Sequence, residues 1–414
     1  MRDVIVIGGG IIGSSIAWQL AKRHLDVLVV EMKDTASGSA GATDGVVGYH
    51  TKKPGIQLDL AVQSIEMFRT LGEELGEDVE YGLEAGGMQP VEDKYQWDLL
   101  STMAEEQRKS GVDIRMITAE EACELEPNLN PDIYGALYSP TGGKVNPLAL
   151  TFAFAKAAKR LGAVFSFGTE VKEILTEGGR ACGVRVFSKE KGEEIHHARF
   201  IVNAAGARAG QVAALAGLDM PIKPRKGQLA VTEAIGPFLK ATVQCARYNV
   251  IKFRPETIDD PAVLRLGQSL SIEQQENGGL IIGGTREFTD FEEENTFEAV
   301  EAMMKRAIRF FPALKNVSII RCFSGFRPYT PDGLSIMGEV STLPGFIMAA
   351  GHEGDGIARG SGQRFQLPED GLVVCHGHSP RKQCHDFAMP WDNSVNKKPI
   401  STLSTRPSAL GICS

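Results

Sequence analysis

The sequence predicts an α/β and α+β protein in which a parallel-sheet domain is interleaved with a second, antiparallel-sheet domain. Three observations support this fold class. The chain opens with a strand, a glycine-rich turn, a helix and a second strand, and later apolar runs return to that pattern. The segments between these returns alternate strand-like and helical stretches. The 414 residues have room for two or three domains and a large core.

The first element is an apolar β-branched run, Val4 to Ile7, which predicts a buried strand. Helix formers follow through Lys22, and a second apolar strand, Val27 to Val30, ends at Glu31. A strand, tight turn, helix and strand within about 30 residues is typical of a dinucleotide-binding unit. In such a unit Glu31 is placed to accept hydrogen bonds from an adenosine ribose.

The turn after the first strand contains the glycines that this interpretation requires. Gly8 permits the sharp turn, Gly10 lets the backbone approach a pyrophosphate, and Gly13 allows the helix to pack closely on the strand. Ile11 and Ile12 begin the helix, whose N-terminus faces the phosphates. The alternative is a chance glycine cluster between two buried elements.

The second strand leads into a loop of small residues, 37–45, which includes Ser39, Ala40 and Thr43. The first motif does not distinguish NAD from FAD. A loop of Gly, Ala and Ser lets backbone amides approach a long ligand, and FAD with its ribityl chain is such a ligand. A flexible surface linker is the alternative.

Later segments predict a discontinuous first domain. An amphipathic helix begins at Asn146 and runs through Leu161, and buried strands follow at Val171 to Leu175 and Phe200 to Asn203. The expected boundaries are residues 1–85, 145–215 and 318–357 for the dinucleotide domain and residues 86–144 and 216–317 for the second domain.

Composition excludes several functional classes. The formal charge of −8 argues against a nucleic-acid binder, whose domain is usually basic. The longest apolar stretch, Val4 to Ala17, is too short and too rich in glycine to be a transmembrane segment, and no secretory signal is evident. We therefore expect cytoplasmic residence. The seven cysteines are an odd number without framework spacing over the first 350 residues, so we expect reduced thiols there.

Eight ordered motifs carry a family resemblance over about residues 1–357. They are GGGIIGSSIAWQLA, GSAGATDG, GGKVNPLAL, IVNAAGARAG, PRKGQLAVTE, GLIIGGTRE, GFRPYTPDGLSIMG and AAGHEGDGI. The sequence resembles the FAD-dependent D-amino-acid oxidase superfamily, in the branch of glycine oxidase, sarcosine oxidase β-subunit and proline or hydroxyproline dehydrogenase. The resemblance implies a Rossmann-like FAD-binding domain, a substrate domain whose antiparallel sheet covers the flavin ring, and oxidation of an amine carbon next to a carboxylate.

Arg327 and Tyr248 are the candidate substrate-binding residues. Arg327 follows a strand-like run, Ile319 to Phe323, and precedes a proline-fixed turn, where its guanidinium can bind a carboxylate through two parallel hydrogen bonds. In the resembling glycine oxidases the arginine of this motif anchors the substrate carboxylate; a salt bridge to Asp332 is the alternative. Tyr248, near the start of a predicted strand, is expected to donate to the same carboxylate, or else to be a core tyrosine.

The loop that follows the last buried strand is predicted to contact the flavin. Closely spaced glycines at a strand end let a ligand lie against the backbone, and in the resembling family this loop wraps the ring and the ribityl chain. His352 is a candidate catalytic residue, with a structural role as the alternative. The further cofactor-binding residues expected from the resemblance are Val171, Ala205, Gly206, Gly351, Gly354, Asp355, Gly356 and Ile357.

The resemblance also bears on chemistry and partners. Hydride passes from substrate Cα to flavin N5 when the amine is neutral and the carbon is held close, so no acid/base dyad is required. Gly325 stands where covalently flavinylated sarcosine oxidases have a cysteine, so we expect noncovalent FAD. Oxygen or a redox partner subunit accepts the electrons. The alternatives are a dehydrogenase subunit and an inactive flavin-binding subunit of a hetero-oligomer.

Two polar residues, His50 and Lys52, lie shortly after the small-residue loop. His50 and Lys52 line the pocket or meet a second subunit, or they belong to a solvated turn.

Residues 358–414 depart from the family pattern, because scattered glycines and prolines argue against the expected final helix. A disordered or replaced terminus is expected there. Zinc binding by the cysteines and histidines of this tail is the alternative, but their spacing matches no common finger, so no metal is expected.

Overall fold

The computed structural model describes residues 1–82 and 86–360. The predicted tail therefore lies outside the described residues, apart from residues 358–360. In the part of the chain that is described, no helix is both long enough and apolar enough to cross a bilayer.

The described chain contains eighteen strands and nine α-helices. The strands are β1 (Arg2–Ile7), β2 (Val27–Val30), β3 (Val46–Gly48), β4 (Gly87–Val91), β5 (Arg115–Ile117), β6 (Gly135–Ser139), β7 (Gly142–Lys144), β8 (Val164–Ser166), β9 (Thr169–Glu177), β10 (Arg180–Ser188), β11 (Gly192–Asn203), β12 (Lys223–Thr232), β13 (Thr242–Gln244), β14 (Ser271–Gln274), β15 (Leu280–Gly283), β16 (Ile319–Tyr329), β17 (Ile336–Glu339) and β18 (Phe346–Ala350). The helices are α1 (Ile11–Ala21), α2 (Ile56–Leu75), α3 (Lys94–Lys109), α4 (Ala119–Leu125), α5 (Pro147–Arg160), α6 (Ala209–Ala214), α7 (Arg247–Phe253), α8 (Pro261–Leu266) and α9 (Phe297–Phe310), and a single π-helical turn spans Gly356–Gly360.

The first sheet has eight strands, and its central part follows the order β17-β18-β11-β1-β2-β8. β1 lies between β11 and β2 and is parallel to both, with Val4 opposite Phe200 and Val27. The residues of β1 and β2 are nearly all fully buried, as expected for parallel strands covered on both faces. Since parallel strands end at the same sheet edge, the loops after β1, β2, β11 and β18 meet there.

The second sheet also has eight strands, in the order β16-β12-β15-β14-β13-β4-β6-β5, and all of its pairs are antiparallel except β13 with β4. A two-stranded ribbon of β3 and β7 connects the small-residue loop to this half of the molecule. The predicted fold class, a Rossmann-like domain with an antiparallel-sheet domain, is confirmed.

Two local predictions differ from the structure. The expected boundary at residue 318 assigns β16 to the dinucleotide domain, whereas β16 pairs with β12 along the edge of the second sheet. Arg327 therefore lies within a strand, and Pro328 is tolerated because an edge strand pairs on one side only. Tyr248 is expected near the start of a strand, but it lies in α7. Tyr248 and Asn249 donate backbone hydrogen bonds to Cys245 and Ala246, which turns the chain helically after β13.

Candidate active site

A cavity of about 700 Å³ opens where the carboxyl edge of the first sheet faces one side of the second sheet. It is lined by glycine-rich loops of the first sheet and by residues of β12, β15 and β16. Most residues that the sequence analysis singled out meet here. Those lining the cavity are Gly8, Gly10, Ile11, Ile12, Glu31, Ser39, Ala40, Thr43, Val171, Ala205, Gly206, Tyr248, Arg327, His352, Gly354, Gly356 and Ile357.

Three of the predicted cofactor-binding residues lie behind the cavity wall. A Cβ at Gly13 would come within 1.9 Å of the Gly8 carbonyl oxygen, so Gly13 serves the close packing of α1. Gly351 has φ +85°, a conformation that favours glycine. The buried carboxylate of Asp355 lies 2.5 Å from Lys52 Nζ and 3.0 Å from Lys252 Nζ. These three residues support the wall and do not form it.

The end of the cavity near β1 has the geometry that a dinucleotide requires. Glu31 Oε2 accepts a hydrogen bond from Gly9 N at 2.7 Å, and its Oε1 accepts one from Lys33 N at 2.8 Å, which fixes the carboxylate. The first turn of α1 has no side-chain cap, so its amides are available to an anion. A Cβ at Gly10 would meet nothing within 4 Å, so space is left in front of these amides.

The small-residue loop is held firmly, which excludes the linker alternative. Ser39 Oγ donates to the carbonyl oxygen of Phe326 in β16. A Cβ at Gly325 would lie 2.4 Å from the carbonyl oxygen of Ala42, so the loop and β16 approach each other backbone to backbone. The loop thus joins the two halves of the cavity, and a long ligand can extend from α1 to β16.

Arg327 lies on the wall formed by the second sheet. Its Nη1 donates to the carbonyl oxygen of Thr285 at 3.0 Å, and the guanidinium passes over Gly227, where a Cβ would be 2.3 Å from Nη1. Among the described residues Arg327 forms no ion pair, and Asp332 instead accepts a hydrogen bond from Leu334 N. Burial and then the charge of Arg286 lower the pKa of Arg327.

Tyr248 faces the same part of the cavity. A Cβ at Gly354 would lie 3.4 Å from Arg327 Nε and 3.8 Å from Tyr248 Oη, so the two polar groups converge at Gly354. The guanidinium carbon of Arg286 lies 4.3 Å from the centre of the Tyr248 ring. Burial raises the pKa of Tyr248, so its hydroxyl remains a donor at neutral pH.

A buried charge network surrounds this pair, and the sequence analysis missed it. Glu353 Oε1 lies 2.9 Å from Arg286 Nη1 and 3.5 Å from Arg225 Nη1. Burial alone would raise the pKa of Glu353, but Arg286 and further cations outweigh it and lower that pKa. Glu353 has φ 51°, which is uncommon for a residue with a side chain. Its place in the GHEGDG motif was the available signal.

A second missed group lies where the small-residue loop meets β14 of the second sheet. Asp44 lines the cavity, and its Oδ2 accepts a hydrogen bond from Ser271 Oγ at 2.7 Å. Behind it the buried Glu273 accepts from Gly45 N at 3.0 Å. Burial and the neighbouring charge of Asp44 raise the pKa of Glu273. Asp44 stands within the quoted GSAGATDG motif, but only the pairing of strands distant in sequence brings Ser271 beside it.

His50 and Lys52 are buried away from the cavity. His50 Nε2 lies 2.9 Å from Gln244 Oε1, and burial lowers the pKa of this histidine to about 4. Lys52 is 4% exposed, which excludes a solvated turn at this position. His352 is buried and lines the cavity.

No described residue that lines the cavity is a cysteine. Cys322 lies in β16 outside it, and burial raises the pKa of its thiol. In the described ranges, no group of three or more His, Cys, Asp or Glu residues could hold a metal ion. The cysteines and histidines considered for zinc lie outside the described residues.

The glycine-lined dinucleotide end, together with a polar pocket under an antiparallel sheet, defines a two-domain dinucleotide-dependent oxidoreductase. The chain belongs to the DAO family of FAD-dependent oxidoreductases, whose model matches residues 3–362. The cofactor is therefore FAD.

Curated relatives agree with this assignment. The chain is 30% identical to glycine oxidase of Geobacillus kaustophilus over 93% of its own length and 95% of that protein. It is 28% identical to hydrogen cyanide synthase subunit HcnC of Pseudomonas aeruginosa, covering 86% and 88%. One of the opine oxidase subunits of Rhizobium meliloti is 27% identical, covering 86% and 90%.

Solved structures share the fold. L-proline dehydrogenase from P. horikoshii has a TM-score of 0.76 at 30% identity, covering 87% of this chain and 91% of that one. Glycine oxidase from Bacillus cereus has a TM-score of 0.75 at 28% identity, covering 87% and 92%.

Proposed function

We propose that the protein oxidises a small amino acid or an N-substituted glycine to the imine, which then hydrolyses in water. Candidate substrates are glycine, sarcosine, proline-like compounds and D-amino acids. The observation that carries the proposal is the guanidinium of Arg327, without a carboxylate partner among the described residues, beside the hydroxyl of Tyr248. Both groups face the cavity of an FAD-dependent oxidoreductase.

The carboxylate of the substrate binds between these two groups. Arg327 offers parallel N–H donors, and Tyr248 Oη adds a third donor from the side of Gly354. The hydrogen bond from Arg327 Nη1 to Thr285 fixes the guanidinium before the substrate arrives, so little side-chain entropy is lost on binding. With its carboxylate held, the substrate turns its Cα towards the interior of the cavity.

FAD, when bound, supplies the hydride acceptor at N5. The glycines of the first turn and the small-residue loop would hold the cofactor noncovalently, with Glu31 at the ribose. The cationic surroundings of Glu353 favour negative charge in this part of the cavity. The wall around Arg327 and Tyr248 excludes water from the reacting carbon and positions it.

An anaerobic substrate screen tests the proposal. Purified protein with FAD is mixed with glycine, sarcosine, proline, hydroxyproline or D-alanine, and the loss of flavin absorbance near 450 nm is followed. We expect at least one compound to bleach the flavin fully. If dithionite bleaches the flavin while no amino acid does, the alternative of an inactive flavin-binding subunit replaces this proposal.

A second candidate is a dehydrogenase subunit that passes electrons to a partner. Two relatives at 27–28% identity are named as subunits, which supports this candidate. Aerobic turnover distinguishes the two: an oxidase releases one hydrogen peroxide per imine, whereas a dehydrogenase subunit requires an artificial dye or its partner for turnover.

A further inference from the structure

We propose that Asp44 binds the ammonium group of the incoming substrate, so that the cavity recognises a zwitterion between Arg327 and Asp44 before the nitrogen loses a proton to solvent and hydride transfer follows. This inference rests on the proposed function and adds the residue that selects a cationic amine over an uncharged isostere. Asp44 lines the same cavity as Arg327 and is half-buried.

The strand order places the two charges at the spacing of an amino acid. Arg327 reaches over β12 to the carbonyl of Thr285, two residues beyond β15, while Asp44 is held by Ser271 on β14, the next strand. Ser271 pairs with Gly283, two residues before Thr285, so the backbone positions that hold the two side chains are separated by one strand spacing of about 4.8 Å and two residue rises of about 3.4 Å, or about 8 Å in all. An α-amino acid with a hydrogen bond of about 2.9 Å at each end fills that gap.

Of the described carboxylates that line the cavity, Asp44 is the one still able to receive a cation. Glu353 is paired with arginines, and Glu31 accepts two backbone hydrogen bonds. Glu170 and Glu293 are exposed and form ion pairs with Lys172 and Lys33. Among the described residues Asp44 has a single hydrogen-bond donor, Ser271 Oγ, and no ion pair, so one of its oxygens can accept from an ammonium group.

The surroundings hold Asp44 in place. Gly45 N donates to both oxygens of Glu273, at 3.0 and 3.1 Å, which ties the backbone next to Asp44 to β14. Gln244 Nε2 donates to Ser271 Oγ at 3.3 Å, which leaves the Ser271 proton directed at Asp44. A carboxylate fixed in this way would bind the nitrogen without losing side-chain entropy.

Oxygen isosteres of the substrates keep the carboxylate but lack the cationic nitrogen, so they separate the contribution of Arg327 to binding from that of Asp44. Methoxyacetate matches sarcosine, and tetrahydrofuran-2-carboxylate matches proline, but neither has a cationic nitrogen. Affinities of Asp44→Asn for the amino acids come from anaerobic flavin reduction, and those for the isosteres come from perturbation of the flavin spectrum. Because hydrogen bonds to charged groups contribute about 1.5–3 kcal/mol, we expect a 10- to 100-fold loss for sarcosine or proline and under threefold for the isosteres.

Two further variants complete the design. Asp98→Asn, on an exposed helix face, is the matched control and should bind both series normally. Ser271→Ala keeps the carboxylate but removes its 2.7 Å hydrogen bond, and it should weaken the amino acids alone by severalfold. It also provides the test if Asp44→Asn fails to retain flavin.

The outcomes separate this inference from the proposed function. In Asp44→Asn, an equal loss of affinity for amino acids and isosteres, or no loss of affinity for either, overturns the role of Asp44 while wild-type turnover stands. If that variant does not retain flavin, the same outcomes in Ser271→Ala overturn it. If no amino acid bleaches the wild-type flavin or perturbs its spectrum, the proposed function fails and the inference fails with it.

Discussion

Arg225 and Arg327 lie directly opposite each other on two antiparallel strands. Of these two arginines, Arg225 alone lies within ion-pairing distance of Glu353, at 3.5 Å. The pairing of Arg225 and Arg286 with Glu353 offsets part of the positive charge at this wall of the cavity. Arg327 is left with a backbone carbonyl as its partner. The cluster therefore retains one guanidinium without a carboxylate partner among the described residues, the one proposed above to bind the substrate.

Replacing Arg327 tests that assignment. Arg327→Lys keeps a positive charge but loses the planar, two-pronged donor, so we expect about 100-fold weaker apparent substrate affinity in anaerobic flavin reduction. The flavin content should match that of the wild type. Arg321→Lys, at an exposed position on the same strand, is the control. Unchanged substrate affinity in Arg327→Lys would remove Arg327 from the site.

The close packing of α1 predicts a severe effect of a single methyl group. Gly13→Ala places a Cβ 1.9 Å from the Gly8 carbonyl oxygen, so either α1 or the first turn must move. We expect a loss of about 3 kcal/mol in unfolding free energy and a lower FAD content after purification. Gly236→Ala, which meets no atom within 4 Å and lies in an exposed loop, should change neither quantity.

The carboxylate of Asp355 holds two buried ammonium groups. Asp355→Asn leaves Lys52 and Lys252 without their shared counter-charge, and we expect a loss of about 3–5 kcal/mol in urea unfolding. Asp98→Asn, which breaks an exposed ion pair, should cost under about 1 kcal/mol. Adding Lys252→Met to Asp355→Asn should recover part of the stability, and a further loss would contradict the charge argument.

Buried His50 predicts a pH dependence of stability. Burial, reinforced by Lys52, lowers the pKa of His50 to about 4 in the folded protein, while the unfolded chain titrates near 6.5. Unfolding therefore takes up a proton below pH 6.5, and stability falls by about 3 kcal/mol as the pH drops from 6.5 to 4.

The matched variant isolates this histidine. His50→Gln has no titrating group, so the difference in unfolding free energy between wild type and variant should change by that amount between pH 7 and pH 4. A constant difference across the range would show that His50 titrates normally.

Local motifs allowed the dinucleotide end of the site to be predicted. Gly8 to Glu31 form one contiguous unit whose glycine spacing, helix and terminal acid depend on neighbours in the chain. The network of Arg225, Arg286 and Glu353 could not be found in that way. Its members come from separate segments: Arg225 lies in β12, Arg286 follows β15, and Glu353 follows β18 of the first sheet, so they meet only when the two sheets face each other.

Tyr248 lies in a segment whose local sequence favours a different secondary structure from the one observed. The run from Tyr248 to Phe253 contains adjacent Val250 and Ile251, which favour a strand by propensity. The Asn249 side chain donates to Gln89 Oε1 at 3.2 Å, a buried contact with β4 that forms when the segment is helical. Tertiary contacts thus override the local preference, and the helix brings the tyrosine to the cavity.

The pairing of β11 with β18 joins two segments that leave the ribosome at different times. Ile201 lies opposite Phe346, so one edge of β11 stays without its partner until about 145 more residues have left the ribosome. At 5–20 residues per second this takes roughly 7–30 s. During that interval the nascent chain presents an unpaired apolar edge, and a chaperone that binds extended apolar segments would find its target there.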